Sequence, residues 1–284
     1  MTPLPRKTVS LQGQTLSYVD AGEGPVLLLG HGLLWSAEVW APLLDQLTPF
    51  FRCVAPDLWA HGQSEGFPGN PDTVSIEALT DGMEGFVDAL ALDSFSLLGL
   101  SLGGMWAVQL AHRRREQIER LVLLSTDAGP EPPEFAEGAL AMLRQVDVAE
   151  GFTEPILDAL APLYFADRTL ENNPELAERF RETLRTWPPE TVHSVCAMGR
   201  GAFLRRDQLP LLQQIPCPTL VIAGAGDKVR TLAEAQRMVS LLPKGEICLL
   251  PDAGHVAPLE QPGPLAARLL DFLRPASETV SCPA

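Results

Sequence analysis

The chain has 284 residues, of which 46% are hydrophobic and 20% charged, and its formal net charge is −15. This composition excludes a largely disordered chain and suffices for a hydrophobic core with a sizeable insertion. An acidic surface repels phosphate backbones and anionic headgroups, so we expect neither nucleic acid nor membrane surfaces as partners. The charge is expected mainly to keep the protein in solution.

Neither the N-terminus nor the cysteines indicate export. The opening stretch, MTPLPRKTVSLQGQ, lacks the apolar region of a signal peptide, and no run approaches the roughly 20 apolar residues that span a bilayer. We therefore expect a soluble, cytoplasmic protein. The cysteines are odd in number and show neither a disulfide framework nor zinc-ligand spacing. They are Cys53, Cys196, Cys217, Cys248 and Cys282.

Short apolar runs alternate with helix-like stretches in the first part of the chain. Residues 8–19 predict two strands or a hairpin around Gly13. Further strands are predicted at residues 25–29, 51–55, 95–98 and 121–124, and helices at residues 76–92 and 104–112. Strand, helix, strand repetition with short connections predicts a mostly parallel sheet flanked by helices.

The pattern changes after residue 128 and becomes helix-like, with no clear strand before Pro218. Asn173 is predicted to cap a helix whose first turn holds Pro174, and an apolar face of that helix is predicted at Leu176, Phe180 and Leu184. The sheet pattern then resumes at residues 219–223 and 247–250. A helix between them is predicted to begin with a capping box formed by Thr231 and Glu234. The predicted organisation is an α/β core, residues 1–128 and 211–284, interrupted by a helical insertion at 129–210.

A G-x-S-x-G element lies at residues 99–103, with Ser101 at its centre. The apolar strand before it and the helical run after it are the context of a nucleophile elbow, a tight turn that exposes a serine hydroxyl. A glycine-rich loop that merely closes a strand–helix unit is the alternative.

A serine hydroxyl needs a positioned base, and the chain has five histidines. His255 follows the strand at 247–250 directly, at the sheet edge where open α/β folds build their sites; a structural histidine is the alternative. His112 lies in a basic run typical of surface, and His193 is interpreted as surface or pocket wall. His31 is interpreted as a structural residue of a turn.

The imidazole in turn needs a carboxylate to orient it. Asp227 follows the strand at 219–223 in the same manner and completes the order Ser, Asp, His expected for such an elbow. Asp127, after the strand at 121–124, is the reserve candidate. The backbone N–H groups of Leu102 and Leu33 are the predicted oxyanion hole.

Apolar side chains near these loops are candidates for the substrate pocket. They are Trp35, Met105 and Trp187. Each of them also suits an ordinary core, and for Trp106 a core position is the favoured interpretation.

Taken together, these motifs resemble those of the α/β-hydrolase superfamily over essentially the full length of the chain. They are His31-Gly32, the D-x-x-x-H-G-x-S stretch from Asp57 to Ser64, the G-L-S-L-G-G stretch from Gly99 to Gly104, Asp227, and the stretch from Gly254 to Pro262. The esterase, perhydrolase and enol-lactonase group is the most similar part of that superfamily. Two positions depart from the usual motifs: Trp59-Ala60 replaces Arg-Gly, and no proline follows Asp227 closely.

The resemblance implies an eight-stranded, mostly parallel sheet with a helical cap, residues 129–210, inserted after the sixth strand. It also implies that no cofactor or metal is needed, and that the serine separates this chain from relatives with a nucleophilic aspartate. The expected function is hydrolysis of small to medium apolar esters through an acyl-enzyme. Lactone or enol-lactone hydrolysis, perhydrolysis and diketone cleavage use the same triad and stay open, as does a non-catalytic ligand receptor. Oligomeric state is undetermined.

Overall fold

A computed structural model of the chain describes residues 4–274. Cys282 and the first three residues of the N-terminal stretch lie outside the described residues.

Eight strands form one sheet within the described residues. They are β1 (Arg6–Leu11), β2 (Gln14–Ala21), β3 (Val26–Gly30), β4 (Arg52–Pro56), β5 (Phe95–Leu100), β6 (Ile118–Leu124), β7 (Thr219–Gly224) and β8 (Gly245–Leu250). Their order is β1-β2-β4-β3-β5-β6-β7-β8, and of these eight strands β2 alone runs in the opposite direction to the others. Every residue of β5 and β7 is buried, as expected of strands covered on both faces. The predicted mostly parallel sheet is therefore confirmed.

Twelve α-helices accompany the sheet in residues 4–274, together with a short 3₁₀ turn at Ala37–Trp40. They are α1 (Ala41–Leu47), α2 (Ile76–Ala89), α3 (Leu102–Arg113), α4 (Pro133–Val148), α5 (Glu154–Tyr164), α6 (Asp167–Asn172), α7 (Pro174–Arg185), α8 (Pro189–Phe203), α9 (Leu209–Leu212), α10 (Leu232–Leu241), α11 (Ala257–Glu260) and α12 (Pro262–Leu273). Helices α2 and α3 pack together, α3 lies on β5, and α10 lies on β7 and β8. None of the helices in this part of the chain is long and apolar enough to cross a bilayer.

Helices α4 to α8 all lie between β6 and β7, where the sequence predicts a helical insertion. Within it, α4 packs on α8, and α7 packs on α5 and α6. The predicted boundary at residue 210 falls inside α9, which packs on α3 and α10 of the sheet layer.

The sequence predicts a capping box, an apolar helix face and an asparagine cap, and the structure confirms the first two but not the third. Thr231 and Glu234 form the predicted capping box of α10. The predicted apolar face of α7 is buried at Leu176, Phe180 and Leu184. The prediction that the Asn173 side chain caps α7 is wrong, because that side chain makes no capping hydrogen bond. Its backbone ψ of 60° lies outside the extended region from which capping side chains reach the first turn.

Candidate active site

The turn between β5 and α3 holds Ser101 in a backbone conformation that few residues adopt. Its φ is +52° and its ψ −115°, which is strained for a residue with a side chain. The flanking glycines allow this turn to pack tightly. A Cβ on Gly99 would lie 2.4 Å from the Gly103 carbonyl oxygen, and one on Gly103 would lie 2.1 Å from that of Gly30. The small residues of the motif are therefore required by contact with backbone.

Hydrogen bonds from the neighbouring strand hold the elbow in place. The Ser101 N–H donates to the Leu124 carbonyl at 3.0 Å, and the Ser101 carbonyl accepts from the Thr126 hydroxyl at 2.7 Å. Ser101 is partly exposed, whereas the β5 residues before it are all buried. The backbone is thus fixed while the side chain remains accessible.

His255 and Asp227 form a buried pair on the loops that follow β8 and β7. The Nδ1 atom of His255 lies 3.0 Å from Oδ2 of Asp227 and 3.2 Å from Oδ1. Oδ1 also accepts the backbone N–H groups of Val229 at 2.8 Å and Arg230 at 2.9 Å. Burial by itself would raise the pKa of Asp227, but the imidazole and these two donors hold that pKa below its ordinary value. The carboxylate is therefore ionised and aimed at Nδ1.

The reserve acid, Asp127, has different partners. Its carboxylate accepts from the Arg237 guanidinium at 2.8 Å and lies 3.6 Å from that of Arg205. The carboxylate in contact with His255 is thus Asp227. Of the other histidines, His193 contacts Asp147 within the insertion.

His31 shapes the loop after β3. Its Nε2 accepts the Leu58 N–H at 2.9 Å, so the ring proton is on Nδ1, which donates to the Gly32 carbonyl at 2.8 Å. Burial lowers the pKa of His31, so the ring stays neutral. This loop passes directly beside the elbow: a Cβ placed on Gly32 would lie only 3.2 Å from the Ser101 Cβ.

The two N–H groups predicted as an oxyanion hole belong to the residues that directly follow Gly32 and Ser101 in the chain. Leu102 is the first residue of α3, so its N–H has no partner inside the helix. Leu33 directly follows Gly32 in the loop. Neither N–H has a hydrogen-bond acceptor among residues 4–274. Both donors are therefore free to bind an oxygen atom.

Aromatic side chains from the insertion contact residues at this edge of the sheet. The Phe180 ring of α7 stacks on Trp35 at 4.8 Å with an interplanar angle of 17°. Tyr164, at the end of α5, packs edge-on against His255 at 5.3 Å and contacts Phe180 at 5.2 Å. Nothing in the local sequence marks Tyr164 as a neighbour of the histidine, because it lies 91 positions away.

A cleft of about 600 Å³ lies between α7 and the loops after β3 and β4; Phe180 lines it, whereas Ser101 and His255 do not. This volume is within the range of about 300–1,000 Å³ typical of small-molecule sites. Trp35 and Trp187, two of the predicted pocket residues, line the cleft, together with polar groups such as Gln63 and the exposed Arg179. Met105, the third, is buried in α3 and does not line it. Trp106 is fully buried, in agreement with the core position that the sequence favours.

Within residues 4–274 no cluster of three His, Cys, Asp or Glu side chains could hold a metal ion.

The sheet order and the elbow define an α/β hydrolase. The chain matches the family described as the alpha/beta hydrolase fold over residues 25–262, and it belongs to that family.

Several of the similar proteins are named as hydrolytic enzymes. A solved structure of a thermophilic esterase from Thermogutta terrifontis superposes with a TM-score of 0.84 and 31% sequence identity, covering 95% of this chain and 98% of that one. The enol-lactonase from Burkholderia xenovorans LB400 gives a TM-score of 0.81 and 28% identity, covering 94% and 99%. A protein of Agrobacterium fabrum, provisionally named carbamate hydrolase RutD, is 29% identical over 262 residues, covering 90% of this chain and 96% of that protein. This chain is accordingly a hydrolase of the α/β fold.

Proposed function

We propose that the protein hydrolyses carboxylic esters of small to medium apolar substrates through an acyl-enzyme formed on Ser101. The observation that carries this proposal is the buried His255–Asp227 pair at the same sheet edge as a strained, partly exposed serine. The likeness to the Thermogutta esterase supports the ester as the substrate class.

In this mechanism each group has a defined task. Ser101 attacks the ester carbonyl while Nε2 of His255 accepts the hydroxyl proton, and Asp227 stabilises the imidazolium through Nδ1–H. The Leu33 and Leu102 N–H groups bind the oxyanion that develops on the carbonyl oxygen. His255 then protonates the leaving alcohol and activates a water that hydrolyses the acyl-enzyme.

We propose further that residues 129–210 act as a cap over this edge and form part of the substrate cleft. The support is the contact of Phe180 with Trp35 and of Tyr164 with His255, since both side chains of the insertion meet residues of the core. Such a cover would exclude bulk water, which strengthens electrostatic interactions in the site.

Lactone hydrolysis is the second candidate. The enol-lactonase likeness over nearly the whole of both chains favours it. It requires the same steps, except that the alcohol released from the carbonyl stays attached to the acyl group. A panel of simple lactones and enol lactones therefore belongs in the same experiment.

The test is hydrolysis of p-nitrophenyl esters of increasing acyl length by the wild type and by Ser101→Ala. We expect Ser101→Ala to lose at least about a thousandfold in kcat, because the nucleophile is removed. Ser94→Ala is the matched control, since Ser94 is exposed and its hydroxyl only donates to Glu119 at 2.7 Å. A Ser101→Ala protein that hydrolyses esters at the wild-type rate would exclude Ser101 as nucleophile. Turnover of lactones well above that of every ester would favour the second candidate.

A further inference from the structure

The glutamate at the end of α11, Glu260, holds the loop that carries His255. Its Oε1 accepts the N–H of Gly254 at 2.9 Å and that of Val256 at 3.2 Å. These are the residues immediately before and after the histidine. One carboxylate oxygen therefore fixes the backbone on both sides of the imidazole.

The other oxygen of the same carboxylate binds the insertion. Oε2 of Glu260 accepts the Ala166 N–H at 2.8 Å and the Thr169 hydroxyl at 2.7 Å. The N–H of His255 itself donates to the Tyr164 carbonyl at 3.0 Å. All three successive N–H groups of the histidine loop are thus bound either by Glu260 or by the α5–α6 junction that Glu260 holds.

Two glycines lie so close to the α5–α6 junction that a side chain at either position would crowd it. A Cβ on Gly254 would lie 2.4 Å from the Ala166 nitrogen, and one on Gly226 would lie 3.0 Å from the Ala166 Cβ. Both glycines belong to the loops that carry His255 and Asp227. The α5–α6 junction therefore packs directly against both loops of the pair.

Ion pairs at the surface join the same elements. Lys228, next to Asp227, lies 2.6 Å from the Asp167 carboxylate, and Arg168 pairs with Asp252 of the histidine loop. Exposed pairs of this kind contribute little by themselves. The half-buried carboxylate with four donors is consequently the main polar tie between the insertion and the histidine loop.

We propose that Glu260 is a positioning residue for the hydrolytic reaction, holding His255 in register with Asp227 by tying its loop to the α5–α6 junction. This proposal rests on the proposed function of His255 as the base. It makes this corner of the insertion a fixed part of the site.

Glu260→Gln tests the proposal with little change of size. A carboxylate accepts at both oxygens, whereas an amide presents one NH₂ group that can only donate. Whichever way the amide turns, the NH₂ faces a backbone N–H, either of Gly254 and Val256 or of Ala166. Because a misplacement of the imidazole by a fraction of an ångström slows the reaction, we expect kcat to fall about ten- to a hundredfold with KM within about twofold.

Glu246→Gln is the matched control, because it makes the same change of charge at an exposed pair with Arg268. Rates are divided by the number of active serines, titrated with a fluorophosphonate, so that a loss of folded protein does not lower kcat. Thr169→Val removes one donor on the insertion side only, and a smaller loss of kcat is expected.

The inhibitor also separates the two proposals. The Ser101 hydroxyl attacks the phosphorus of a fluorophosphonate and displaces fluoride, and the rate constant of this reaction depends on the histidine but needs no ester substrate. A wild type inert to both esters and fluorophosphonate would refute the proposed function itself. A reactive wild type with Glu260→Gln equal to it, in kcat per site and in inhibitor rate constant, would overturn the role of Glu260. A smaller kcat and a slower inhibitor reaction, at unchanged KM, would support it.

Discussion

Removing one charge from the buried ion cluster at the base of the insertion should destabilise the protein strongly. The cluster joins Glu131, in the connection after β6, to Arg205, in the connection after α8, and to Arg230, three residues past Asp227. Their side chains are 1%, 0% and 4% exposed. The Glu131 carboxylate therefore joins both ends of the insertion to the loop after β7, which carries Asp227.

Glu131→Gln keeps the shape of the side chain but leaves two buried guanidinium groups without their shared anion. Breaking a buried ion pair at one partner costs about 3–5 kcal/mol, and the lower end of this range applies here, because Asp127 and Glu234 remain 3.6 Å from Arg205 and Arg230. For a domain of this size, that corresponds to a decrease in the unfolding temperature of about 10 °C.

Thermal unfolding at neutral pH, followed by circular dichroism, measures this decrease. Glu246→Gln, at the exposed pair with Arg268, is the control and should cost less than about 1 kcal/mol. A Glu131→Gln protein that unfolds within about 2 °C of the wild type would refute the reasoning, since the cluster would then not be held in a desolvated state.

The same cluster predicts a dependence on pH. Burial by itself would raise the pKa of Glu131, but the guanidinium groups of Arg230 and Arg205 lower it below its ordinary value. A carboxyl with a lowered pKa in the folded state stabilises the protein above its unfolded pKa, and this contribution is lost as the pH falls through the folded pKa. The difference in stability between wild type and Glu131→Gln should therefore be constant near neutrality and decrease below about pH 4. A difference that grows in acid would contradict this sign.

Two further predictions concern packing and thiol chemistry. A Cβ on Gly201 would lie 1.7 Å from the Val74 carbonyl oxygen, so Gly201→Ala should cost about 1–3 kcal/mol in urea unfolding. Gly138→Ala in α4, where nothing lies within 4 Å, should instead gain about 0.5–1 kcal/mol, and the reverse ranking would refute both assignments. Burial raises the pKa of the Cys53 and Cys196 thiols to about 12, so a disulfide reagent at about pH 8 should label them only after denaturation. Peptide mapping by mass spectrometry checks this, and equal labelling of native and denatured protein would contradict it.

Much of the fold follows from local sequence patterns. The continuous apolar runs predict the buried parallel strands, because only strands covered on both faces tolerate such composition. The glycines around Ser101 predict the elbow, since any larger residue would collide with backbone there. The Thr231–Glu234 capping box is equally local. These features depend on residues within a few positions of one another, so they can be predicted from the sequence.

The partners of the charged groups were decided by the tertiary structure. Asp127 and Asp227 both follow sheet strands, and the sequence favoured Asp227 as the acid with Asp127 in reserve; in the structure Asp227 contacts His255, while Asp127 binds arginines. The ties from Glu260 to Ala166 and from Glu131 to Arg205 likewise join residues distant in the chain. The reason is geometric: hydrogen bonds and ion pairs act over a few ångströms, and which distant side chains come within that range depends on how the insertion packs on the sheet.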